Sequence, residues 1–355
     1  MEFCSFTFIV TEDCNFNCTY CYKKKNKIYI TDPIIEKSIE FFFPYLSKEC
    51  YINFYGGEPL LAFDKIKKII YILESKNKKF NKKIHYSITS NGSLINDKIL
   101  QFLNQYKFSL MISFDGYAQE ISRKKGSFTK TISVIKKILN YPQIKLEINS
   151  VFTQKTVGTI SKSISFILGL GIPKINLSIN TTEAWNKTSI HKLKEELRNL
   201  NDYLYSYYQK TGSIPLNDFK DDFEKGIFQC AAGKDRMALT PYGNIWGCYL
   251  FADYFQEKEK TSEYLKYYFG TLDFFRKNHK TVYPKILSNY SKLRTDYFWT
   301  SEKLCMLCDN LKECRICPMD AAFSGSIIGK ATQWTCQINK ILLKEKKLFW
   351  QRIKG

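Results

Sequence analysis

The sequence predicts an α/β fold whose first half forms a parallel sheet and whose second half is a smaller, cysteine-rich region. Up to residue 185, short apolar runs alternate with amphipathic stretches of about 10 to 15 residues, which is typical of βαβ units. Seven of the twelve cysteines follow residue 229, where this alternation has ended. The six predicted strands are too few for a closed eight-stranded barrel.

The alternating elements can be assigned from their apolar periodicity. The predicted strands cover residues 5–10, 51–55, 84–89, 108–114, 145–152 and 174–179. The predicted helices between them cover residues 33–46, 64–75, 94–105, 127–139 and 157–169. A longer helix is predicted over 191–209, and Gly, Pro and Asp turn signals over 211–228 indicate a domain boundary. A basic amphipathic helix is predicted over 339–354.

Three cysteines fall within eight residues directly after the first predicted strand. Cys14, Cys18 and Cys21 are separated by three and then two residues, so their thiolates can converge on one soft metal centre. A four-iron cluster held by three thiolates keeps one iron open to a small molecule. The alternatives are a zinc site, which the lack of a nearby fourth cysteine or histidine disfavours, and a chance cluster of buried thiols.

The spacing Cys-x3-Cys-x2-Cys, with Tyr20 before the third cysteine, resembles the signature of the radical S-adenosylmethionine (SAM) enzymes. The resemblance implies a partial (β/α)6 TIM-like barrel with SAM chelated by the open iron. In that family, reduction of the cluster cleaves SAM and releases a 5′-deoxyadenosyl radical, which abstracts hydrogen from a substrate. Ligands of parallel α/β sheets bind beyond the carboxyl ends of the strands, which is where this loop is predicted to lie.

Loops after the later predicted strands resemble the SAM-binding motifs of the family. In the GGEP stretch, two glycines allow close approach of the backbone to a ligand, and Glu58 can accept a hydrogen bond from the SAM ammonium group. The resemblance implies SAM contacts from Tyr20, Gly56, Gly57, Glu58, Ser90, Asn91, Ser113 and Asp115, with Asn149 and Ser150 as weaker candidates. For any one of the loop residues, capping of a turn is an equal alternative.

The second cysteine set resembles the SPASM domain, a cluster-binding C-terminal extension of radical SAM enzymes that modify peptides and proteins. Cys230, Gly243 and Cys248 fit its Cys-x(9–15)-Gly-x4-Cys pattern, and Cys305 to Cys314 fit Cys-x2-Cys-x5-Cys. The resemblance implies an auxiliary cluster I on Cys230, Cys248 and Cys317, and an auxiliary cluster II on Cys305, Cys308, Cys314 and Cys336. A structural zinc ribbon over 305–317 is the alternative.

Two departures from the SPASM pattern concern auxiliary cluster I. Only two residues separate Cys314 from Cys317, where the family has three, which weakens the assignment of Cys317 as a ligand. The extra cysteine that completes this cluster in some members is absent from 231–237, so one iron is expected to be open. A substrate thiolate is one expected occupant of that iron, and water, Asp235 and Tyr249 are the alternatives.

The implied organisation has four segments. These are a radical SAM partial barrel over 1–185, a connecting helix and linker over 186–228, a SPASM domain over 229–341 and a C-terminal helix over 342–355. Cys4 and Cys50 lie outside both cysteine sets and are predicted to be small core residues, with a hydrogen-atom donor role for Cys4 as the lesser alternative.

Bulk properties restrict the compartment and the partners. No run of about 18 uncharged apolar residues occurs, so no membrane span is expected. Glu2 stands where a signal peptide would carry positive charge, and with the clustered cysteines this predicts a cytoplasmic location. The net charge of +20 predicts either an electropositive surface for an acidic partner or, as the favoured interpretation, a solvated lysine-rich surface without a specific partner.

The resemblance implies an oxidoreductase that modifies a ribosomally synthesised peptide by a thioether or carbon–carbon crosslink. The implied cofactors are SAM and three [4Fe–4S] clusters. The alternatives are a sulfatase-maturating (formylglycine-generating) enzyme and an RNA-modifying radical SAM enzyme. Sulfatase-maturating members have an aspartate base directly after the cysteine of the Gly-x4-Cys motif, where this chain has Tyr249, and the nearest acidic residue downstream is Asp253. No catalytic acid or base is assigned from the sequence.

Three partners are expected from the same resemblance. The first is a peptide substrate, which the basic charge would suit if the peptide is acidic. The second is an electron donor of the flavodoxin or ferredoxin type. Because the chain starts at the barrel, leader recognition is expected to use another surface or a separate protein. Neither a membrane nor nucleic acid is expected as a partner.

Overall fold

The computed structural model describes residues 1–220, 226–259, 261–301, 304–324 and 327–355. It confirms an α/β fold with a parallel core. The strands are β1 (Phe3–Thr11), β2 (Leu46–Gly56), β3 (Lys83–Ser90), β4 (Ser109–Ser113), β5 (Lys145–Phe152), β6 (Ile175–Ile179), β7 (Arg236–Leu239), β8 (Asn244–Trp246) and β9 (Tyr268–Thr271). The helices are α1 (Asp32–Phe42), α2 (Phe63–Phe80), α3 (Asp97–Gln105), α4 (Gln119–Ser122), α5 (Phe128–Ile138), α6 (Ile160–Gly169), α7 (Lys187–Thr211), α8 (Tyr249–Tyr254), α9 (Ser262–Tyr267), α10 (Leu272–Tyr290), α11 (Pro318–Phe323) and α12 (Gln333–Lys354).

The strands of both halves form one sheet in the described residues, in the order β6-β5-β4-β3-β2-β1-β7-β8-β9. β1 to β6 are parallel neighbours in sequence order, and each overlaps one of the six predicted strands. Parallel strands covered by helices on their faces read as apolar runs, which is why the sequence shows them clearly. The barrel half of the fold therefore agrees with the prediction.

The second half joins the sheet of the first, which the sequence analysis did not anticipate. β7 pairs in parallel with β1, and β8 and β9 continue the sheet in antiparallel pairing. These strands have only three or four residues, too few to show an apolar period. The predicted boundary over 211–228 includes residues 221–225, which lie outside the described residues.

Two long helices, α7 after the barrel strands and α12 at the C-terminus, pack together. α7 contains the predicted helix 191–209 and is longer, because Asn186 caps its first turn and Gly212, at φ +64°, ends it. α12 begins six residues before the predicted start at 339, because Thr332 Oγ1 accepts a hydrogen bond from the Thr335 amide. Asn201 of α7 donates a 2.8 Å hydrogen bond to the Glu345 carbonyl of α12. None of the helices described here is long and apolar enough to cross a membrane.

The two cysteines outside the predicted metal sets have different environments. Cys50 is fully buried in β2, as predicted. Cys4 is exposed, and its Sγ lies 3.4 Å from the Asp235 carbonyl oxygen. The prediction of a core position was wrong for Cys4 because side chains alternate along a strand, and Phe3 takes the buried face at this end of β1.

Candidate active site

The cysteine loop follows β1 at the carboxyl edge of the sheet. Cys14 and Cys18 are half-buried and Cys21 is exposed. Burial raises the pKa of the Cys14 thiol, and it raises the pKa of Cys18 to about 11. Three thiols in one loop form a soft donor set that fits an iron–sulfur cluster, which binds them as thiolates. In the described residues, no three Cys, His, Asp or Glu side chains converge as a site for a single metal ion.

Gly56 and Gly57 bring the end of β2 against the start of the cysteine loop. A Cβ added at Gly56 would lie 2.2 Å from the Thr11 carbonyl oxygen, and one at Gly57 would lie 2.2 Å from the Asp13 carbonyl oxygen. The Gly57 amide donates to Thr11 at 3.0 Å, and the Glu58 amide donates to Asp13 at 2.8 Å. The close approach that these glycines permit is therefore to the backbone leading into Cys14. A close approach of this backbone to a ligand, which the resemblance implies, stays a prediction.

Glu58 is a buried carboxylate that holds the loop after β3. Its side chain accepts hydrogen bonds from the Leu60 amide at 3.1 Å, the Ser90 hydroxyl at 2.8 Å and the Asn91 amide at 2.7 Å. Burial outweighs these donors and raises the pKa of Glu58 to about 7. The Asn91 side chain continues the link by donating to Asn15 of the cysteine loop at 2.9 Å. Glu58, Ser90 and Asn91, all predicted site residues, thus form one connected group.

Asp115 lies in a buried ion pair that the sequence analysis missed. Arg123 donates to both of its carboxylate oxygens at 2.9 Å, and the Tyr20 hydroxyl donates to it at 3.0 Å. The Val151 amide donates a further bond at 2.8 Å. The Arg123 guanidinium also lies 5.3 Å from the centroid of the Tyr20 ring. Arg123 could not be predicted from the sequence. The segment between β4 and α5 brings it to Asp115, and no helical or strand spacing relates the two residues.

The remaining predicted SAM contacts lie on adjacent strands. Ser113 of β4 and Asn149 of β5 are paired in register, and both are half-buried. The Asn149 side-chain oxygen accepts a 3.2 Å hydrogen bond from Ser178. Ser150 is buried and donates to the Phe114 carbonyl oxygen at 2.7 Å, so its hydroxyl already has a structural partner.

The cysteines assigned to auxiliary cluster II line one cavity in the second half of the chain. Cys305, Cys308, Cys314 and Cys336 contribute to its wall together with apolar residues including Phe298. Cys336 reaches the cavity from the first turn of α12. Four thiols around an apolar cavity are a donor set that fits a closed iron–sulfur cluster.

The cysteines assigned to auxiliary cluster I lie close enough to influence one another. Burial raises the pKa of Cys317, and the Asp320 carboxylate and the thiols of Cys230 and Cys248 add to the increase. The loops that carry Cys230 and Cys248 meet over Tyr290. Its hydroxyl accepts a 3.0 Å hydrogen bond from the Gly247 amide.

Three side chains lie where they bear on the expectation of an open position in auxiliary cluster I. Tyr249, one of the two side chains named from the sequence, lies near Cys248 and Cys317. Burial raises the pKa of Tyr249, and the nearby thiols of Cys248 and Cys317 add to the increase. The Asp235 carbonyl oxygen accepts a 3.0 Å hydrogen bond from the Ser5 amide, so Asp235 lies at the amino-terminal end of β1. Asp320 was missed, although it follows Cys317 by three residues in the first turn of α11. That spacing was the available signal.

Three tyrosines connect the two cysteine-bearing regions. Tyr22 follows Cys21, Tyr249 follows Cys248, and Tyr55 at the end of β2 lies between them. The hydroxyl oxygens of Tyr22 and Tyr55 are 3.4 Å apart, and the ring centroids of Tyr55 and Tyr249 are 4.1 Å apart. A continuous aromatic contact therefore runs from one cysteine loop to the other.

A buried ion pair lies beside these tyrosines. Lys23 Nζ is 2.5 Å from Asp253 Oδ1 and 4.5 Å from the centroid of the Tyr55 ring. The other carboxylate oxygen of Asp253, Oδ2, is buried and has no hydrogen-bond partner among the described residues. Because Lys23 belongs to the cysteine loop and Asp253 to α8, the pair connects the two halves of the chain.

A cavity of about 350 Å³ opens beside the third cysteine. Residues 19–22 form one wall, the segments after β5 and β6 form another, and Phe323 of α11 closes it from the second half. The Phe323 ring lies 4.1 Å from that of Tyr22, centroid to centroid. The polar side chains after β5 and β6 that line this cavity are Thr153, Lys155, Asn180, Thr182 and Glu183.

Comparison with known proteins relates the first part of this chain to a known superfamily. Residues 8–153 match the model of the radical SAM superfamily. The chain is 26% identical over 281 residues to the radical SAM cyclopropyl synthase TigE of Paramaledivibacter caminithermalis, covering 70% of this chain and 57% of TigE. It is 30% identical over 172 residues to the cysteine-type anaerobic sulfatase-maturating enzyme of Clostridium novyi, covering 44% of this chain and 45% of that enzyme.

The likeness of fold extends through the cysteine-rich half. A solved structure of native anSMEcpe with bound AdoMet and Kp18Cys peptide superposes with a TM-score of 0.74 at 18% sequence identity, covering 98% of both chains. The chain spans only about half the length of the two curated relatives. A match to this superfamily implies SAM and one [4Fe–4S] cluster, and the cysteine loop lies inside the matched segment. Residues 8–153 therefore carry a radical SAM domain, and a cysteine-rich C-terminal region follows it.

Proposed function

We propose that this protein is a maturase that oxidatively modifies a ribosomally synthesised peptide, forming a thioether or carbon–carbon crosslink. The observation that carries the proposal is the cavity shared by the cysteine loop, the ends of β5 and β6, and Phe323. Its hydroxyl, amide, ammonium and carboxylate side chains suit hydrogen bonding to a peptide backbone beside Cys21. The neighbouring fold with a bound peptide supports the same class of substrate.

Cys14, Cys18 and Cys21 would hold the [4Fe–4S] cluster that binds SAM. When bound and reduced, this group supplies a 5′-deoxyadenosyl radical, and the rest of the task falls to the chain. Glu58 fixes the loop that carries Ser90 and Asn91, and the Asp115–Arg123 pair fixes Tyr20, which are the groups expected to orient SAM. Phe323 packs against Tyr22 in the wall of the cavity, so it would bound the space left for the substrate.

Two auxiliary [4Fe–4S] clusters complete the proposed cofactor set. Cys305, Cys308, Cys314 and Cys336 would hold one of them, and the cavity that these four line supports that assignment. Cys230, Cys248 and Cys317 would hold the other, with its fourth position taken by a substrate thiolate or by Asp320. We therefore keep the division into a barrel over 1–185, a linker over 186–228, a SPASM domain over 229–341 and a C-terminal helix over 342–355.

The test uses the anaerobically reconstituted full chain with SAM, a reductant and the peptide encoded beside its gene. We expect 5′-deoxyadenosine together with a peptide product that lacks two hydrogens, seen by mass spectrometry. Fragmentation of the product then distinguishes a crosslink through sulfur from one between carbons. A neighbouring peptide that stays unchanged while SAM is cleaved would contradict the proposed substrate.

A second candidate function is the conversion of a cysteine or serine to formylglycine in a sulfatase. The observation that favours it is Asp253, whose buried Oδ2 has no hydrogen-bond partner among the described residues and could act as a base. Against it, Tyr249 occupies the position where sulfatase-maturating members have their aspartate. Two results together would favour this candidate. The wild-type enzyme would convert the cysteine of a sulfatase peptide to an aldehyde, and the Asp253→Asn enzyme would not.

A further inference from the structure

Three exposed lysines line a groove where the segment after β3 meets the segment between α4 and α5. Lys124, Lys125 and Lys130 supply its charge, and Asn15 and Phe16 of the cysteine loop form part of its wall. The groove encloses about 290 Å³. Its remaining lining residues are Gly92, Ser93, Gly126, Ser127, Thr131 and Val134. None of the described residues that line it carries a carboxylate.

This lysine groove lies directly on the backbone between two predicted cluster ligands. Asn15 and Phe16 lie between Cys14 and Cys18 in the sequence. Lys124 Nζ is 3.4 Å from the Asn15 carbonyl oxygen and 5.1 Å from the centroid of the Phe16 ring. A molecule in the groove would therefore be separated from a cluster on these cysteines by little more than the loop itself.

The substrate cavity involves other residues of the same loop. Residues 19–22 line that cavity, whereas Asn15 and Phe16 line the lysine groove, and the two sets of lining residues share no member. Separate parts of the loop thus contribute to the cavity proposed for chemistry and to a groove with exposed lysines. Such a division suits a partner that exchanges electrons with the cluster without entering the active site.

We propose that the lysine groove is the docking site of a small acidic one-electron carrier protein of the flavodoxin or ferredoxin type. The inference rests on the proposed function, because it needs a cluster on Cys14, Cys18 and Cys21 as the electron acceptor. One electron passes from the reduced carrier, which is oxidised, to the [4Fe–4S]²⁺ cluster, which is reduced to [4Fe–4S]⁺. Positive charge at the contact steers an acidic carrier to this surface beside the cysteine loop, from which transfer is short.

An acidic peptide substrate is the competing occupant of the groove. It would have to place its reacting atoms near Cys21 and Tyr22, whose cavity has a different lining. A substrate peptide would also make turnover with any reductant depend on the lysines. A carrier protein would make only carrier-driven reduction depend on them, and this difference decides between the two occupants.

The experiment compares two reductants on reconstituted holoenzyme in which Lys124, Lys125 and Lys130 are each replaced by Glu. We expect the Kd for a purified acidic flavodoxin to rise about tenfold or more, with a shallower dependence on ionic strength. The rate of cluster reduction by reduced flavodoxin, followed by stopped-flow absorbance, should fall by a similar factor. Cluster reduction and peptide turnover driven by dithionite, a small reductant that needs no docking surface, should both be unchanged, whereas a substrate peptide in the groove would make the dithionite-driven turnover fall.

The matched control reverses three exposed lysines at the opposite edge of the sheet. Lys48 lies near the start of β2, and Lys78 and Lys79 lie in the last turn of α2, so their replacement by Glu makes the same change in net charge. Flavodoxin affinity equal in both variants would overturn the docking site, and so would a loss of dithionite-driven reduction. If the Glu variant loses its iron, the three Lys→Gln changes repeat the binding measurement. Failure of dithionite to reduce wild-type enzyme would contradict the proposed function instead.

Discussion

Single buried carboxylates organise the loops around the cysteines. Glu58 and Asp115 each accept three or more hydrogen bonds from protein groups, so both act first as positioning residues. The sequence located both of them next to the correct strands. It could not show that their oxygens are engaged by the protein, because most of those partners come from other stretches of the chain.

The raised pKa of Glu58 makes stability depend on pH. Glu58 has a pKa of about 7 in the folded chain against 4.5 as its ordinary value, so between these values the folded state binds more protons than the unfolded state. This contribution is present below about pH 4.5 and is lost as the pH rises through about 7, for a total on the order of 3 kcal/mol. The Glu58→Gln variant lacks it. Urea unfolding at about pH 5.5 and pH 8 should show a smaller loss of unfolding free energy in Glu58→Gln than in wild type.

The control for this experiment is Glu2→Gln, an exposed glutamate at the start of the chain. It should lose as much unfolding free energy between the two pH values as wild type does. Equal pH dependence in wild type and Glu58→Gln would contradict the assignment of this effect to Glu58.

Breaking the Asp115–Arg123 pair should cost far more than breaking an exposed pair. Arg123→Leu leaves Asp115 buried with an uncompensated charge, which typically costs about 3 to 5 kcal/mol of unfolding free energy. Lys137→Leu, which removes the exposed pair with Asp97, should cost only a small fraction of that, because solvent screens exposed ion pairs. Urea unfolding measures both variants. If the two losses are equal, the ion pair does not stabilise the loop that carries Tyr20.

At the scale of elements, sequence and structure agree where periodicity was long and differ where it was short. The six parallel strands were predictable because each is an apolar run between helical stretches. β7, β8 and β9 were not, because three or four residues carry no period and their pairing with β1 is set by tertiary contacts. The start of α12 was misplaced because its cap, Thr332, lies before a stretch without clear amphipathic spacing.

Gly247 packs closely against the backbone of Gly233 and the ring of Tyr290. A Cβ at this position would lie 2.5 Å from the Gly233 amide nitrogen and 2.7 Å from the Tyr290 ring. Gly247→Ala should therefore push apart the loops that carry Cys230 and Cys248. We expect a loss of about four iron per chain, the content of one [4Fe–4S] cluster, with SAM cleavage retained.

Gly169→Ala is the matched control, because a Cβ there meets nothing within 4 Å. Its iron content should equal that of wild type after the same reconstitution. Full iron loading in Gly247→Ala would show that the two loops can separate without losing the cluster, against the assignment of Cys230 and Cys248 as its ligands.

At the scale of the whole molecule, one sheet and one buried ion pair unite the two halves. The sequence analysis expected two domains joined by a linker, yet β7 extends the barrel sheet and Lys23 pairs with Asp253 across the halves. The two cysteine sets could be found from spacing alone. Their connection through Tyr22, Tyr55 and Tyr249 could not, because these tyrosines come from three distant stretches of chain.

Replacing the cysteines of the first set should abolish radical generation and leave the iron of the second set in place. Wild type is expected to hold about twelve iron per chain after anaerobic reconstitution, from three [4Fe–4S] clusters. Replacing Cys14, Cys18 and Cys21 by alanine should leave about eight, because the cysteines of the second set are carried by other loops of the fold. Reductive cleavage of SAM, measured as 5′-deoxyadenosine, should fall to background in this variant.

Two outcomes of the same experiment would count against this arrangement. Continued formation of 5′-deoxyadenosine in the triple variant would remove the cysteine loop as the site of SAM cleavage. A wild-type preparation that saturates at about four iron, with zinc making up the remaining metal, would replace the auxiliary clusters by a zinc ribbon over 305–317. Iron, zinc and sulfide analysis on one preparation distinguishes these cases. Only inorganic sulfide in proportion to about twelve iron agrees with three clusters, because zinc bound by cysteine carries no inorganic sulfide.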